Sequence, residues 1–149
     1  MQILHETAAH IGLYSENERR NARLHVLMVG PRKMQRLNAE YLGHDQPTDV
    51  LAFDLTDIAA DVPAIDAASE VCGEIYVCPQ VAQDACKEYN TSVGYELVLY
   101  MVHGMLHLAG ERDDSPAQQQ RMKRRETELM DELLTRFNLN SIFADPFPE

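Results

Sequence analysis

A chain of 149 residues, 45% of them apolar, has the length and composition of one folded domain with a real hydrophobic core. Its net charge of −11 disfavours non-specific binding to nucleic acid, because phosphate contacts ordinarily need a basic surface. Three cysteines without a C-x-x-C pair rule out a disulfide framework, and no apolar run reaches membrane-spanning length.

In chain order, Gln2 to Leu13 carries Ile3, Leu4, Ala8 and Ile11 in a short amphipathic helix pattern. The same segment lacks the basic region, apolar stretch and cleavage site of a signal peptide, so a cytoplasmic location is expected. Leu24 to Val29 reads as a buried strand closed by Gly30 and Pro31, and Pro31 suits the first position of a helix through Met34, Leu37 and Tyr41. Arg32, Lys33 and Arg36 on that helix are little diluted by acids, which makes them the candidate phosphate contacts. Asp45 to Asp49 is loop chemistry, Val50 to Leu55 a second strand, and Asp57 to Ser69 a loose surface loop. Glu74 to Cys78 alternates as a third strand, and Pro79 opens a helix from Gln80 to Glu88.

A long helix follows from about Ser92 to Leu108, almost wholly apolar from Tyr95 onward apart from Glu96 and two histidines. Ser115 and Pro116 supply an N-cap and a first helical residue for another helix ending near Phe137. Its Arg121, Lys123, Arg124 and Arg125 read as a solvated face opposed by Glu126 and Glu128. Asn138 to Glu149 reads as a mobile tail on a single domain spanning 1–149. Few strands among many helices predict an α+β fold, a small mixed β-sheet packed with helices, with the apolar helix at its centre.

The segment His103-Gly-Met-Leu-His107-Leu-Ala-Gly110-Glu-Arg-Asp113 concentrates the chemistry. Residues four apart share a helix face, so His103 and His107 point the same way. Gly110 adopts positive φ readily and lets the chain turn back, so Asp113 can close a tripod with the two imidazoles. Three protein ligands and one open position describe a catalytic zinc site. The spacing matches the metzincin pattern with Asp in the last place, which places a zincin-like metal site at the end of the central helix. Gly104 stands where those proteases carry the glutamate base, and no Met-turn is evident, so the pattern argues against a peptidase. Zinc is the expected ion, although the same donors suit nickel, iron or manganese.

Three blocks, taken together, resemble the YbeY endoribonuclease family. They are Asn38-x-x-Tyr41 with Asp45-x-Pro47-Thr48-Asp49-Val50-Leu51-x-Phe53, then Gly73-Glu74-Ile75-Tyr76-Val77-Cys78, then His103-Gly-x-Leu-His107-Leu-x-Gly110. The resemblance implies a metal-dependent, single-strand-specific endoribonuclease in small-subunit ribosomal RNA maturation and ribosome quality control. It implies ribosomal RNA, the small ribosomal subunit and an Era-type GTPase as partners, and no membrane.

Two positions depart from the family pattern. Asp113 stands where many relatives have His; its carboxylate is an acceptable ligand but makes the metal a weaker Lewis acid. Leu42 stands at an arginine position and cannot hold a phosphate, which leaves Arg36 or another nearby cation to substitute. Glu111 and Asp114 are the sequence candidates for a general base, without a decision between them or against a solvated-turn role. Two other readings stay open: a non-catalytic, metal-stabilised ribosome-assembly factor, and a metallohydrolase acting on a non-RNA substrate.

Overall fold

A computed structural model describes residues 2–13, 22–56 and 70–143. Helix α1 spans Gln2–His10, strand β1 Ala22–Met28, helix α2 Pro31–Leu42, strand β2 Val50–Asp54 and strand β3 Glu70–Val77. Helices α3 (Pro79–Tyr89), α4 (Val93–Leu108), α5 (Pro116–Arg136) and α6 (Leu139–Ile142) complete the chain. The expected surface loop at 57–69 lies outside the described residues.

The sheet has the order β1-β3-β2, with β1 parallel and β2 antiparallel to the central β3. It is therefore mixed, and among the described residues β2 is an edge strand. Parallel pairing of β1 and β3 requires a long crossover, and α2 and β2 lie between the two strands in sequence. The fold is α+β, as the alternation of periodicities predicts.

The apolar helix α4 lies at the centre because it has no polar face to give to water. On one side Leu97, Met101 and Met105 pack on Ile75 and Val77 of β3. On the other, Val98, Val102 and Leu106 meet Met122, Leu129, Met130 and Leu133 of α5. Ser92 caps its start by accepting from the Tyr95 N–H at 3.1 Å. Glu96, the one acid of that run, is buried and accepts the Thr91 hydroxyl hydrogen at 2.5 Å. Helix α5 opens on a capping box in which Ser115 and Gln118 satisfy each other's backbone N–H.

The C-terminal segment differs from the mobile tail expected after Asn138. Leu139–Ile142 forms α6, and Leu139 is only 1% exposed, packed with Val98, Val102 and the α5 leucines. A single apolar residue among polar neighbours carried too little pattern to reveal this docking; residues 144–149 lie outside the described residues. The same contact explains Gly94, where an added Cβ would sit 2.0 Å from the Leu139 carbonyl oxygen. Backbone cannot retreat as a side-chain tip can. Gly94→Ala is thus expected to destabilise the protein by about 2–3 kcal/mol, measured as a lower urea midpoint; an unchanged midpoint would contradict this packing.

Candidate metal centre and its cleft

Helix α4 ends in a Schellman motif that builds half the site. The Glu111 N–H donates to the Leu106 carbonyl and the Gly110 N–H to the His107 carbonyl, both at 3.0 Å. Gly110 makes this possible at φ +93, a conformation that side chains resist. The turn carries the Glu111 carbonyl back to His107, whose Nδ1–H donates to it at 3.0 Å. It also brings Asp113 over the two imidazoles, as the spacing predicted.

His107 Nε2 and His103 Nε2 lie 2.9 Å apart, and Asp113 Oδ2 lies 3.6 Å from the first and 3.8 Å from the second. Ligand atoms around a tetrahedral zinc at about 2.0–2.1 Å stand roughly 3.3 Å from each other, so these separations suit one shared cation. The outer partners support the fit. His103 Nδ1 donates to the Glu126 carboxylate of α5, and His107 Nδ1 to the Glu111 carbonyl. Neither partner can donate, so both Nδ1 atoms carry hydrogen and both Nε2 atoms are left as donors of lone pairs. Two lone pairs at 2.9 Å repel each other unless a cation or a proton lies between them. These three residues could hold a metal ion.

Without metal, a proton is the cation that can lie between them. Burial disfavours a charged His103 ring. The hydrogen bond and charge of Glu126, with the charges of Asp49 and Asp113, outweigh burial and hold its pKa above the ordinary histidine value. A metal entering the site must displace that proton.

Glu126 was missed in the sequence, where it reads as part of a solvated charge ladder. Its side chain is only 14% exposed and turned inward against His103. Arg121, its supposed partner, instead sits with its Nε 3.4 Å from Glu111 Oε2. The only available signal was the register: Glu126 lies four residues before Met130 and Met122 four before Glu126, on the apolar face of α5.

Gly104 also has a structural explanation. Its Cβ would meet the Ile75 side chain at 3.0 and 3.2 Å and the Val50 side chain at 3.2 Å. Position 104 therefore faces the sheet across a close helix contact, with no room for a glutamate base.

The metal group opens into a cleft of about 740 Å³ lined by Leu42, His44, residues 48–53, His103, Gly104, His107, Asp113 and Asp114. The model for the family described as endoribonuclease YbeY matches residues 1–134. The chain belongs to the YbeY family. A Thermotoga neapolitana protein named endoribonuclease YbeY is 40% identical over 90 residues, covering 60% of this chain and 52% of the relative. A Salinibacter ruber protein of the same name is 38% identical over 112 residues, covering 74% of this chain and 70% of the relative. The chain spans about half the length of several curated relatives that it matches, those from Thermotoga and Anaeromyxobacter among them. A Thermotoga maritima protein solved in solution superposes with a TM-score of 0.53 at 29% identity, covering 99% of this chain and 91% of that one.

Within this YbeY chain, the sequence candidates for substrate contact are not in the cleft. Arg32, Lys33 and Arg36 are exposed on α2, and none of them lines it. The α2 residue that does is Leu42, 57% exposed. Arg36 cannot take its place, since six residues along a helix turn about 240° to another face. Among the described residues the cleft lining carries three carboxylates, Asp49, Asp113 and Asp114, and no Lys or Arg. Of the two base candidates, Asp114 is at the cleft rim and bonded to Arg112 at 2.6 Å, whereas Glu111 does not line the cleft. Asp49 is an acid of the cleft that the sequence placed in a loop and in the first family-like block without a role at the site; its Oδ1 accepts from the Val50 N–H at 2.8 Å and the Thr48 hydroxyl at 3.0 Å.

Proposed function

We propose that the protein is a metal-dependent, single-strand-specific endoribonuclease, with zinc or another divalent transition ion held by His103, His107 and Asp113 in a zincin-like arrangement. The observation that carries this reading is the convergence of the two Nε2 atoms and Asp113 Oδ2 at one end of an open cleft. Membership of the YbeY family supplies the RNA substrate class. A bound divalent ion there would supply Lewis acidity and an activated water for phosphodiester hydrolysis.

The chain's own residues prepare that chemistry. Glu126 and the Glu111 carbonyl fix the tautomer and tilt of the two imidazoles, so no reorientation is required when the ion binds. Asp113 completes the site at the cost of a negative charge, which lowers the Lewis acidity relative to a three-histidine set. Asp49 and Asp114 are the carboxylates within the cleft able to accept a proton. The cleft, about 740 Å³ in volume, runs from the three candidate ligands to β2.

The biological setting we propose is maturation and quality control of small-subunit ribosomal RNA in the cytoplasm, alongside the small ribosomal subunit and an Era-type GTPase. Among the described residues no helix is long and apolar enough to cross a membrane. The exposed Arg32, Lys33 and Arg36 are assigned to phosphates outside the cleft. One observation favours a second reading, a metal-stabilised assembly factor without catalysis: the cleft lining offers no cation to a phosphate.

Single-stranded and duplex forms of one ribosomal RNA fragment separate the two readings. Zinc-loaded wild type is expected to cleave the single strand at least tenfold faster than the duplex. Equal, metal-independent inertness toward both, with ribosome association retained, would favour the assembly factor.

A further inference from the structure

Among the described residues the cleft lining holds no Lys or Arg, and the register of β2 shows which polar groups it offers instead. The Cys78 N–H donates to the Asp49 carbonyl and the Leu55 N–H to the Cys72 carbonyl, both at 3.0 Å. Leu51 pairs with Tyr76 and Phe53 with Glu74 in the same antiparallel register. The odd-numbered residues therefore bond to β3, and Val50, Ala52 and Asp54 turn their backbone groups toward the free edge. Val50 has its N–H taken by Asp49 Oδ1 at 2.8 Å. Of the edge residues that line the cleft, Ala52 keeps both its N–H and its C=O; among the described residues no backbone group pairs with them.

An aromatic shelf borders that edge. Phe53 lines the cleft and meets Tyr41 edge-on at 4.9 Å between ring centroids, and Tyr76 at 5.7 Å on its other side. Tyr76 is anchored in turn by donating its hydroxyl hydrogen to Glu74 Oε2 at 2.8 Å. Tyr41 is 58% exposed on this fixed stack, beside the exposed Leu42. Large apolar groups kept at the surface beside a polar main-chain edge mark a binding face.

We propose that Tyr41, Leu42, Phe53 and the Ala52 main chain form a subsite for one unpaired nucleobase of the strand bound at the metal centre. A planar base stacks on the Tyr41 and Leu42 surface while its hydrogen-bonding edge meets the Ala52 N–H and C=O. Every nucleobase carries a donor next to an acceptor on that edge, and stacking is tolerant of base identity. A base is favoured over an extended peptide because Asp49 occupies the Val50 N–H and so shortens the run of free backbone groups that strand addition uses. Affinity at this subsite comes from stacking where the family pattern has an arginine, so it survives an acidic cleft. The inference rests on the endoribonuclease reading.

The test is the cleavage kinetics of a single-stranded oligoribonucleotide and of a series in which each nucleotide in turn is made abasic. Zinc-loaded wild type, Tyr41→Ala, Tyr41→Phe and Leu42→Ser are compared; both positions are exposed, so folding is preserved and is checked by thermal melting. Tyr41→Ala is expected to raise KM about tenfold with little change in kcat, and Tyr41→Phe to recover most of that loss. One abasic position is expected to raise the wild-type KM similarly and to add nothing to Tyr41→Ala. Unchanged KM in Tyr41→Ala and in Leu42→Ser, with an active enzyme, overturns the subsite and leaves the nuclease reading intact. Failure of wild type to bind or cleave any of the RNAs overturns both. Saturable binding of an unstructured peptide that is lost in Ala52→Pro would assign the edge to a protein ligand and overturn the nucleobase subsite.

Discussion

Asp113→Ala is expected to lower metal affinity by more than about 100-fold, beyond what loss of an outer partner produces. The reason is the donor arithmetic at the end of α4. Two imidazoles alone leave a cation with half of a tetrahedral set, and Asp113 Oδ2 is the third donor, 3.6 and 3.8 Å from the two Nε2 atoms. A competition titration against a chromophoric chelator reads the change directly. Asp113→His is the informative partner variant: it keeps a third donor, and by removing a negative charge it should raise the Lewis acidity of the bound ion. Full metal stoichiometry at unchanged affinity in Asp113→Ala would remove Asp113 from the site. Asp114, which lines the same cleft, would then be the next candidate.

Glu126→Ala is expected to weaken metal binding by about 10- to 100-fold although Glu126 donates nothing to the ion. The carboxylate receives the His103 Nδ1–H, and its loss frees a buried ring to rotate or change tautomer. Glu126→Gln should recover part of the loss, since an amide oxygen also accepts that hydrogen. The pH dependence separates geometry from charge. In the wild type, burial pushes the His103 pKa down, and the bond and charge of Glu126, with Asp49 and Asp113, push it further up, for a net rise. A raised pKa means that the metal-free site keeps its proton to higher pH, so metal affinity falls as pH drops through that value. Removing the Glu126 charge lowers the pKa and moves the fall to lower pH. Identical pH profiles and affinities for wild type and both variants would contradict the role given to Glu126.

Much of this site was legible because its signals are local. The four-residue offset of His103 and His107, the positive-φ requirement at Gly110 and the short reach to Asp113 all lie within one helix end, where spacing fixes geometry. The helices were legible from the same kind of signal: Ser115 and Pro116 mark the start of α5, and Pro31 and Pro79 start α2 and α3. What stayed hidden depends on tertiary contact. Glu126 is twenty-three residues from His103 in sequence, and its charged neighbours gave it the look of a surface residue. Leu139 docks on α4 through a backbone approach that only the nearby Gly94 betrays. The Arg32, Lys33 and Arg36 group was singled out by charge alone, and charge does not say which way a helix face points. The cleft is reached instead by Leu42 at the end of that helix.

The central claim is that the His103, His107 and Asp113 centre carries RNA cleavage. The most direct measurement is cleavage of single-stranded ribosomal RNA by purified protein, first stripped with chelator, then reloaded with a stoichiometric amount of zinc, beside His107→Ala treated identically. Activity is expected to vanish on stripping, return on reloading, and stay at least about 100-fold lower in His107→Ala at every zinc concentration that leaves it folded. Equal cleavage by stripped wild type, reloaded wild type and His107→Ala would contradict it.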